Sequence, residues 1–165
     1  MAVRKANRRL TREEEIRQKY LTFLISEEEY GMPVSQVVEI IRVSELVRIP
    51  HAHDYFEGLM NFRGRPLPVL SLVRRLGMED SPEPAEGRRA IVIQIHGRRL
   101  GLVVDQVRQV VSFPPEQIDP GPPSLKGQSS RYVLGIGKGA GEFVVLMNLE
   151  ALFGREEVAG MAADQ

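Results

Sequence analysis

The 165-residue chain contains no cysteine and no tryptophan. Without cysteine there can be no disulfide, no thiolate nucleophile and no Cys-ligated zinc, which suits a reducing cytoplasm. An excess of either charge is also missing. The 22 Lys and Arg balance 22 Asp and Glu, so no net field draws the protein to nucleic acid or to an acidic membrane. Apolar runs fall far short of the ~20 residues needed to span a bilayer. Arg4, Lys5, Arg8 and Arg9 open the chain, but the apolar stretch of a secretory signal does not follow them. Together these absences predict a soluble protein that reaches a membrane only through a partner.

What the chain does have is a duplication. Leu21/Ile91, Phe23/Ile93, Ile25/Ile95, Gly31/Gly101, Val34/Val104, Val37/Val107 and Ile40/Val110 stand 70 positions apart. A second block repeats at an offset of 77: Gly58/Gly135, Gly64/Gly141, Val69/Leu146, Leu72/Leu149 and Gly77/Gly154. Apolar alternation and turn glycines repeat. No nucleophile, acid–base pair or metal-ligand set repeats with them. This predicts a duplicated β-module whose function lies in its surfaces and not in catalysis. Each half is roughly 60 residues, a size that buries only about 60% of its unfolded surface. The halves are therefore expected to share one core.

The period of the apolar residues places the elements. Residues 1–10 are polar and expected to be mobile. Thr11 and Glu14 have capping-box spacing and open a short solvated helix or turn. Leu21, Phe23 and Ile25 alternate into a hairpin that turns at Glu27–Glu29. Val34, Val37, Val38 and Ile41 follow a helical stripe and predict one helical turn. Residues 45–49 read as a strand. Gly58 and Gly64 flank an Asn61-Phe62-Arg63 corner, and Pro66 and Pro68 confine the next strand to an edge or a bulge. Ser71 and Gly77 bracket a helical turn, a design repeated by Asn148 and Gly154. After a connector at 78–88 come a hairpin (90–104), a helical turn (105–111), a strand (about 111–118), a loop (119–128) and a strand pair (131–148). Residues 155–165 read as a loosely attached acidic tail. Short strands with frequent turns mean a sandwich or barrel, and the duplication favours two small barrels.

Several constellations imitate chemistry. His51 and His53 could be half of a metal site, but no third ligand is near in sequence, so a loop surface is the better reading. His96 beside Gly97 reads as a solvent-facing turn residue. Gly135 to Gly141 resembles a phosphate loop, yet a strand follows it and no Ser or Thr follows Lys138. Arg63, Arg65, Arg98 and Arg99 form basic pairs. A barrel that binds nucleic acid also needs stacking aromatics, which this chain spends on core positions. For Glu39 two readings stand: an acid on a solvated face, or one at the rim of an apolar contact, where charge sets partner choice. For Arg63, internal bracing and partner contact are equally open.

Residues 20–40, 58–72, 100–111 and 133–153 resemble the CheW-type chemotaxis coupling proteins, over roughly 20–154 in all. The Asn61-Phe62-Arg63-Gly64 corner with Pro68, Gly58 and Gly31 is the most specific part. Ser71 stands where the family often has Asp or Asn, a neutral change because all three cap a helix. The resemblance implies an all-β fold of two intertwined SH3-like five-stranded barrels. It implies a non-enzymatic adaptor between chemoreceptors and the regulatory domain of a CheA-type histidine kinase, in chemotaxis or in a sister pathway for pilus motility or development. The receptor's cytoplasmic helical tip would lie in a groove between the barrels. Val37, Glu39, Asn61 and Arg63 match partner-binding positions, Val107 and Val110 are their counterparts in the second half, and Gly31, Gly58 and Gly64 are structural turns. No cofactor, metal or nucleic acid is expected. Localisation would be cytoplasmic, at the membrane only through receptor arrays. The domain is expected at 20–154, between an extension at 1–19 and a tail at 155–165.

Overall fold

The computed structural model describes residues 9–121, 131–139 and 142–162. The first half of the chain supplies six strands: β1 (Lys19–Ile25), β2 (Glu28–Pro33), β3 (Val37–Arg42), β4 (Leu46–Val47), β5 (Phe56–Phe62) and β6 (Arg65–Ser71). The second half supplies six more: β7 (Arg89–Ile95), β8 (Arg98–Val104), β9 (Gln106–Ser112), β10 (Ile118–Asp119), β11 (Val133–Gly139) and β12 (Glu142–Met147). Helix α1 (Arg12–Arg17) precedes them behind the expected Thr11–Glu14 capping box. One helical turn ends each half, α2 (Leu72–Arg75) and α3 (Leu149–Leu152), capped by Ser71 and Asn148. Helix α4 (Arg155–Ala162) follows α3.

The halves exchange their first hairpins. One sheet runs β10-β11-β12-β2-β1-β9 and the other β3-β7-β8-β6-β5-β4. Hairpin β1–β2 thus sits among strands of the second half, and β7–β8 among strands of the first. The joints are alike: β12 meets β2 in parallel, and β6 meets β8 in parallel. On the other flank of each hairpin, β1 pairs antiparallel with β9 and β7 with β3. The intertwined, mostly β fold is as the resemblance implied, with six strands per sheet because each half adds the two-residue edge strand β4 or β10.

The exchange buries both faces of each hairpin. Leu21, Phe23 and Ile25 enter the largest core, which also takes Ile91, Ile93 and Ile95, Leu100 and Leu102, and Leu72, Leu149 and Phe153 from the helical turns. The opposite faces fill two smaller cores. Ala90, Val92 and Val103 join Met60, Phe62, Leu67 and Val69 in one. Tyr20 joins Phe113, Val144 and Leu146 in the other. Each fully buried side chain of this size contributes about 1.5–3 kcal/mol. The one buried polar group on β1 is satisfied. Thr22 fills the bulge between β1 and β9, its hydroxyl donating to the Gln109 carbonyl at 3.1 Å and accepting the Gln109 N–H at 3.3 Å.

Six expectations are corrected. The helical stripe at 34–41 is a short 3-10 turn at Val34–Gln36 followed by strand β3. The predicted turn at 105–111 is strand β9. Each strand carries a register break, between Val37 and Glu39 in β3 and opposite Leu21/Phe23 in β9. A bulge disrupts period-two alternation and imitates three-four spacing, while the β-branched valines favour the extended chain. The strand expected at about 111–118 ends at Ser112, and that at 45–49 shrinks to Leu46–Val47. His96 is not solvent-facing: its Nε2 lies 3.1 Å from the Glu150 carbonyl and 2.9 Å from the Phe153 carbonyl, at the end of α3. The tail is not loose over Arg155–Ala162, since α4 buries Val158 and its Glu157 accepts from the Tyr55 hydroxyl. The expected loop at 122–128, the tip at 140–141 and residues 1–8 lie outside the described residues.

Arg75 ties the halves together at this end. Its Nη2 donates to the Leu152 carbonyl at 2.6 Å, and its guanidinium lies 5.6 Å from both the Tyr55 and Phe153 rings. We propose that the halves fold as one cooperative unit. Residues 20–80 expressed alone should give an unfolded or aggregated chain, and a well-dispersed NMR spectrum from that fragment would contradict the shared core.

Three tyrosines report on the same packing. Burial raises Tyr20; burial and then the Glu28 carboxylate raise Tyr30 to about 12; burial and then the Glu157 hydrogen bond raise Tyr55. A folded pKa above the unfolded value of about 10 stabilises fully below pH 10, and that stability is lost as pH rises towards the folded value. Stability should therefore fall above about pH 10. In a spectrophotometric titration these phenols should ionise together with unfolding, and free ionisation near pH 10 in a folded protein would contradict their burial.

Candidate functional site

The hairpin β5–β6 turns through two residues, Arg63 (φ 53°) and Gly64 (φ 81°), with Phe62 opposite Arg65. Positive φ at both positions is the type I′ turn, which matches the right-handed twist of the flanking strands. Gly64 adopts this conformation without strain, whereas Arg63 does so as a non-glycine residue. The Asn61 side-chain oxygen closes the turn by accepting the Gly64 N–H at 2.8 Å. Asn61 is thus occupied, at least through that oxygen, in shaping the corner.

Arg63 leaves this turn, lays its guanidinium over the Phe62 ring at 4.7 Å, and donates to the Glu39 carboxylate. Glu39 belongs to β3, the edge strand on the far side of the same sheet. The pair therefore links edge strand β3 to the β5–β6 turn of the same sheet. The Arg63 side chain is 65% exposed and the Glu39 side chain 31%. Exposed ion pairs contribute only about 0–1 kcal/mol, so the bridge orients two charges at the surface more than it stabilises the fold.

The valines divide. Val37 and Val107 are half-buried and pack against the largest core. Val110 points outward and is 54% exposed. Its duplication partner Ile40, beside Glu39, is 40% exposed. Sequence reasoning passed over Ile40, Val47 and Phe143, the last two being 66% and 67% exposed. Their apolar character looked like core alternation, and only their place on edge strands and beside turns exposes them.

Two of the glycines expected in turns lie elsewhere. Gly31 is inside β2, where a Cβ would come within 3.0 Å of Leu146 Cδ2; its role is to let β2 approach β12. Gly58 lies in β5 at φ 143°, where a Cβ would come within 2.7 Å of the Val47 carbonyl oxygen. His51 is exposed and His53 stacks on Tyr55 with ring centroids 5.0 Å apart. Among the described residues, no three His, Asp or Glu side chains gather as a metal site. Residues 133–139 form strand β11, and β12 follows it where a nucleotide-binding loop would open a helix. Nor is any helix long and apolar enough to cross a membrane among the described residues.

Comparison with known proteins gives one answer. The model of the CheW-like domain family matches residues 19–157. The chain is 31% identical over 146 residues to the chemotaxis protein CheW of Klebsiella aerogenes, covering 88% of this chain and 87% of the relative. It is 33% identical over 140 residues to a probable chemotaxis protein CheW of Rhizobium etli, covering 83% and 88%. Its structure is similar to that of the scaffolding protein TtCheW from Thermoanaerobacter tengcongensis, with a TM-score of 0.75 and 29% identity over 85% of this chain and 94% of that one.

The geometry separates stability from surface chemistry. Arg63→Ala and Glu39→Ala should each change unfolding free energy by no more than about 0.5 kcal/mol, as exposed substitutions do. Gly64→Val should lower the melting temperature clearly, because a β-branched side chain is strained at positive φ. Early unfolding of Arg63→Ala would make that arginine a brace of the fold.

Proposed function

We infer the function from one premise: the chain belongs to the CheW-like domain family, whose match runs through all twelve strands described above. It is a non-enzymatic scaffold that couples chemoreceptors to a CheA-type histidine kinase in chemotaxis. The match over residues 19–157 carries this reading. The duplicated barrel pair supports it physically, since what the two halves offer in common is surface.

We propose that the partners are the kinase's regulatory domain and the cytoplasmic helical tip of a receptor. The protein would then work in the cytoplasm and lie against the membrane only through receptor arrays. For the contact we propose Glu39 and Arg63 as the charged rim and Val110 as the apolar contact on the second barrel. Val37 and Val107 support the outer strands from inside. Asn61 shapes the corner that presents Arg63. Ile40 and Val47 extend the surface around Glu39 and the corner. An apolar patch edged by an oriented ion pair suits a protein partner: burial supplies affinity, and the charges fix register.

Co-sedimentation of the full chain with receptor tips and kinase tests this. Arg63→Ala and Glu39→Ala should each weaken binding by about 1 kcal/mol or more if the residue is a hot spot, while melting stays near wild type. The charge swap Glu39→Arg with Arg63→Glu separates bracing from contact. Wild-type binding by the swapped protein would mean that the bridge, and not each side chain, is what matters.

A further inference from the structure

Hairpins β5–β6 and β7–β8 end side by side. Strands β6 and β8 are parallel neighbours and each begins directly after its turn, so Arg63-Gly64 and His96-Gly97 lie at the same end of the sheet. Between them is a groove of about 770 Å³. Its charged lining is Arg63, Arg65, Arg98 and Arg99, with no carboxylate among the lining residues. Arg63 is paired with Glu39. Arg65, Arg98 and Arg99 are exposed and form no ion pair among the described residues.

The duplication supplies an internal control. The same end of the other sheet is built from turn Ser26-Glu27, with the starts of β2 and β12 beside it. The backbones agree: φ is 50° and 71° at Ser26 and Glu27, and 50° and 73° at His96 and Gly97. The charges are inverted. Glu28 and Glu29 stand where Arg98 and Arg99 do, and Glu142 stands where Arg65 does. Folding of this hairpin therefore does not require arginine. Clustering three unpaired guanidinium groups on a chain of zero net charge works against the fold through mutual repulsion, and is expected where an anion is to be held.

We propose that this groove is a docking site for a carboxylate-rich segment of another protein. Guanidinium groups pair with carboxylates in two-point hydrogen bonds, and three free ones along two adjacent turns suit several acids in an extended segment. Nucleic acid fits less well. Single strands need aromatic faces to stack on, and Phe62, the sole aromatic lining the groove, is 9% exposed and lies under Arg63. The acidic pole of a second copy is the competing occupant. A contact between unlike poles of identical chains is heterologous and propagates into open filaments unless it closes into a ring, which favours a separate partner. The inference goes beyond the coupling function and needs neither kinase nor receptor.

The test is calorimetric titration of the full chain at low ionic strength with a hexaglutamate peptide, acetylated and amidated so that only its side chains are charged. Saturable binding is expected, weakened by about tenfold or more in Arg98→Glu/Arg99→Glu and reduced again near 0.15 M salt, where charges are screened beyond about 8 Å. Should that variant fail to fold, Arg65→Gln/Arg99→Gln removes two charges from the same groove and should show the same loss. Amide shifts on binding should fall at residues 62–68 and 94–99. Equal binding by a folded variant would overturn the proposal. So would tighter binding of a hexathymidylate strand to the same residues. Concentration-dependent self-association that the variant abolishes would also overturn it, giving the groove to the acidic Glu27–Glu29 segment of a second copy.

Discussion

Two short parallel strand contacts hold this structure in its form. Tyr30 and Gly31 of β2 lie beside Val145 and Leu146 of β12, and Gly101 to Val103 of β8 lie beside Val69 to Ser71 of β6. At each, the hairpin of one half enters the sheet of the other. The approach is close. A Cβ on Gly31 would meet Leu146 at 3.0 Å, and one on Gly101 would meet Leu67 at 3.3 Å. Because these contacts place both hairpins between partners, Phe23, Ile25, Ile91 and Ile93 become the centre of the molecule and are fully buried. A half of this size would bury too little surface alone. Exchange gives each half the other's most apolar strands.

That construction shapes what the surface can do. The outer strands β3, β4, β9 and β10 and the turns at the sheet ends are what remains at the surface. Equivalent places in the two halves share backbone geometry and differ in chemistry. Glu39 pairs with Arg63, while its counterpart Gln109 carries no charge and bonds the buried Thr22 through its backbone alone. Arg98 and Arg99 face the solvent where Glu28 and Glu29 do in the other half. A duplicated frame thus carries unlike contact surfaces, which suits a scaffold that must hold different proteins in one complex.

Much of the frame was legible in the sequence. The 70- and 77-residue offsets locate the paired elements from β1/β7 to α2/α3 other than the edge strands β4 and β10, because turn glycines and buried alternation are what both copies need. The bulges in β3 and β9 were not legible, since a register break and a helical stripe space valines alike. His96 was misread because nothing local to a hairpin turn announces that the end of α3 will fold over it. Val158 looked like part of an acidic tail, as one apolar residue among charges has no period to follow. The exchange itself could not come from spacing, which is the same whether a hairpin pairs within its own half or across. Family resemblance supplied it. Of the proposed contact residues, Glu39 and Arg63 were found singly, and their pairing between edge strand β3 and the β5–β6 turn needed coordinates.

Native-state hydrogen exchange tests the central claim, that hairpin exchange makes both barrels one body. Amides of Phe23 and Ile25 lie in one sheet, and those of Ile91 and Ile93 in the other. If exchange couples the sheets, the slowest amides of both should report one opening free energy, equal to that of global unfolding. Two distinct values, with one sheet opening while the other stays protected, would contradict the account.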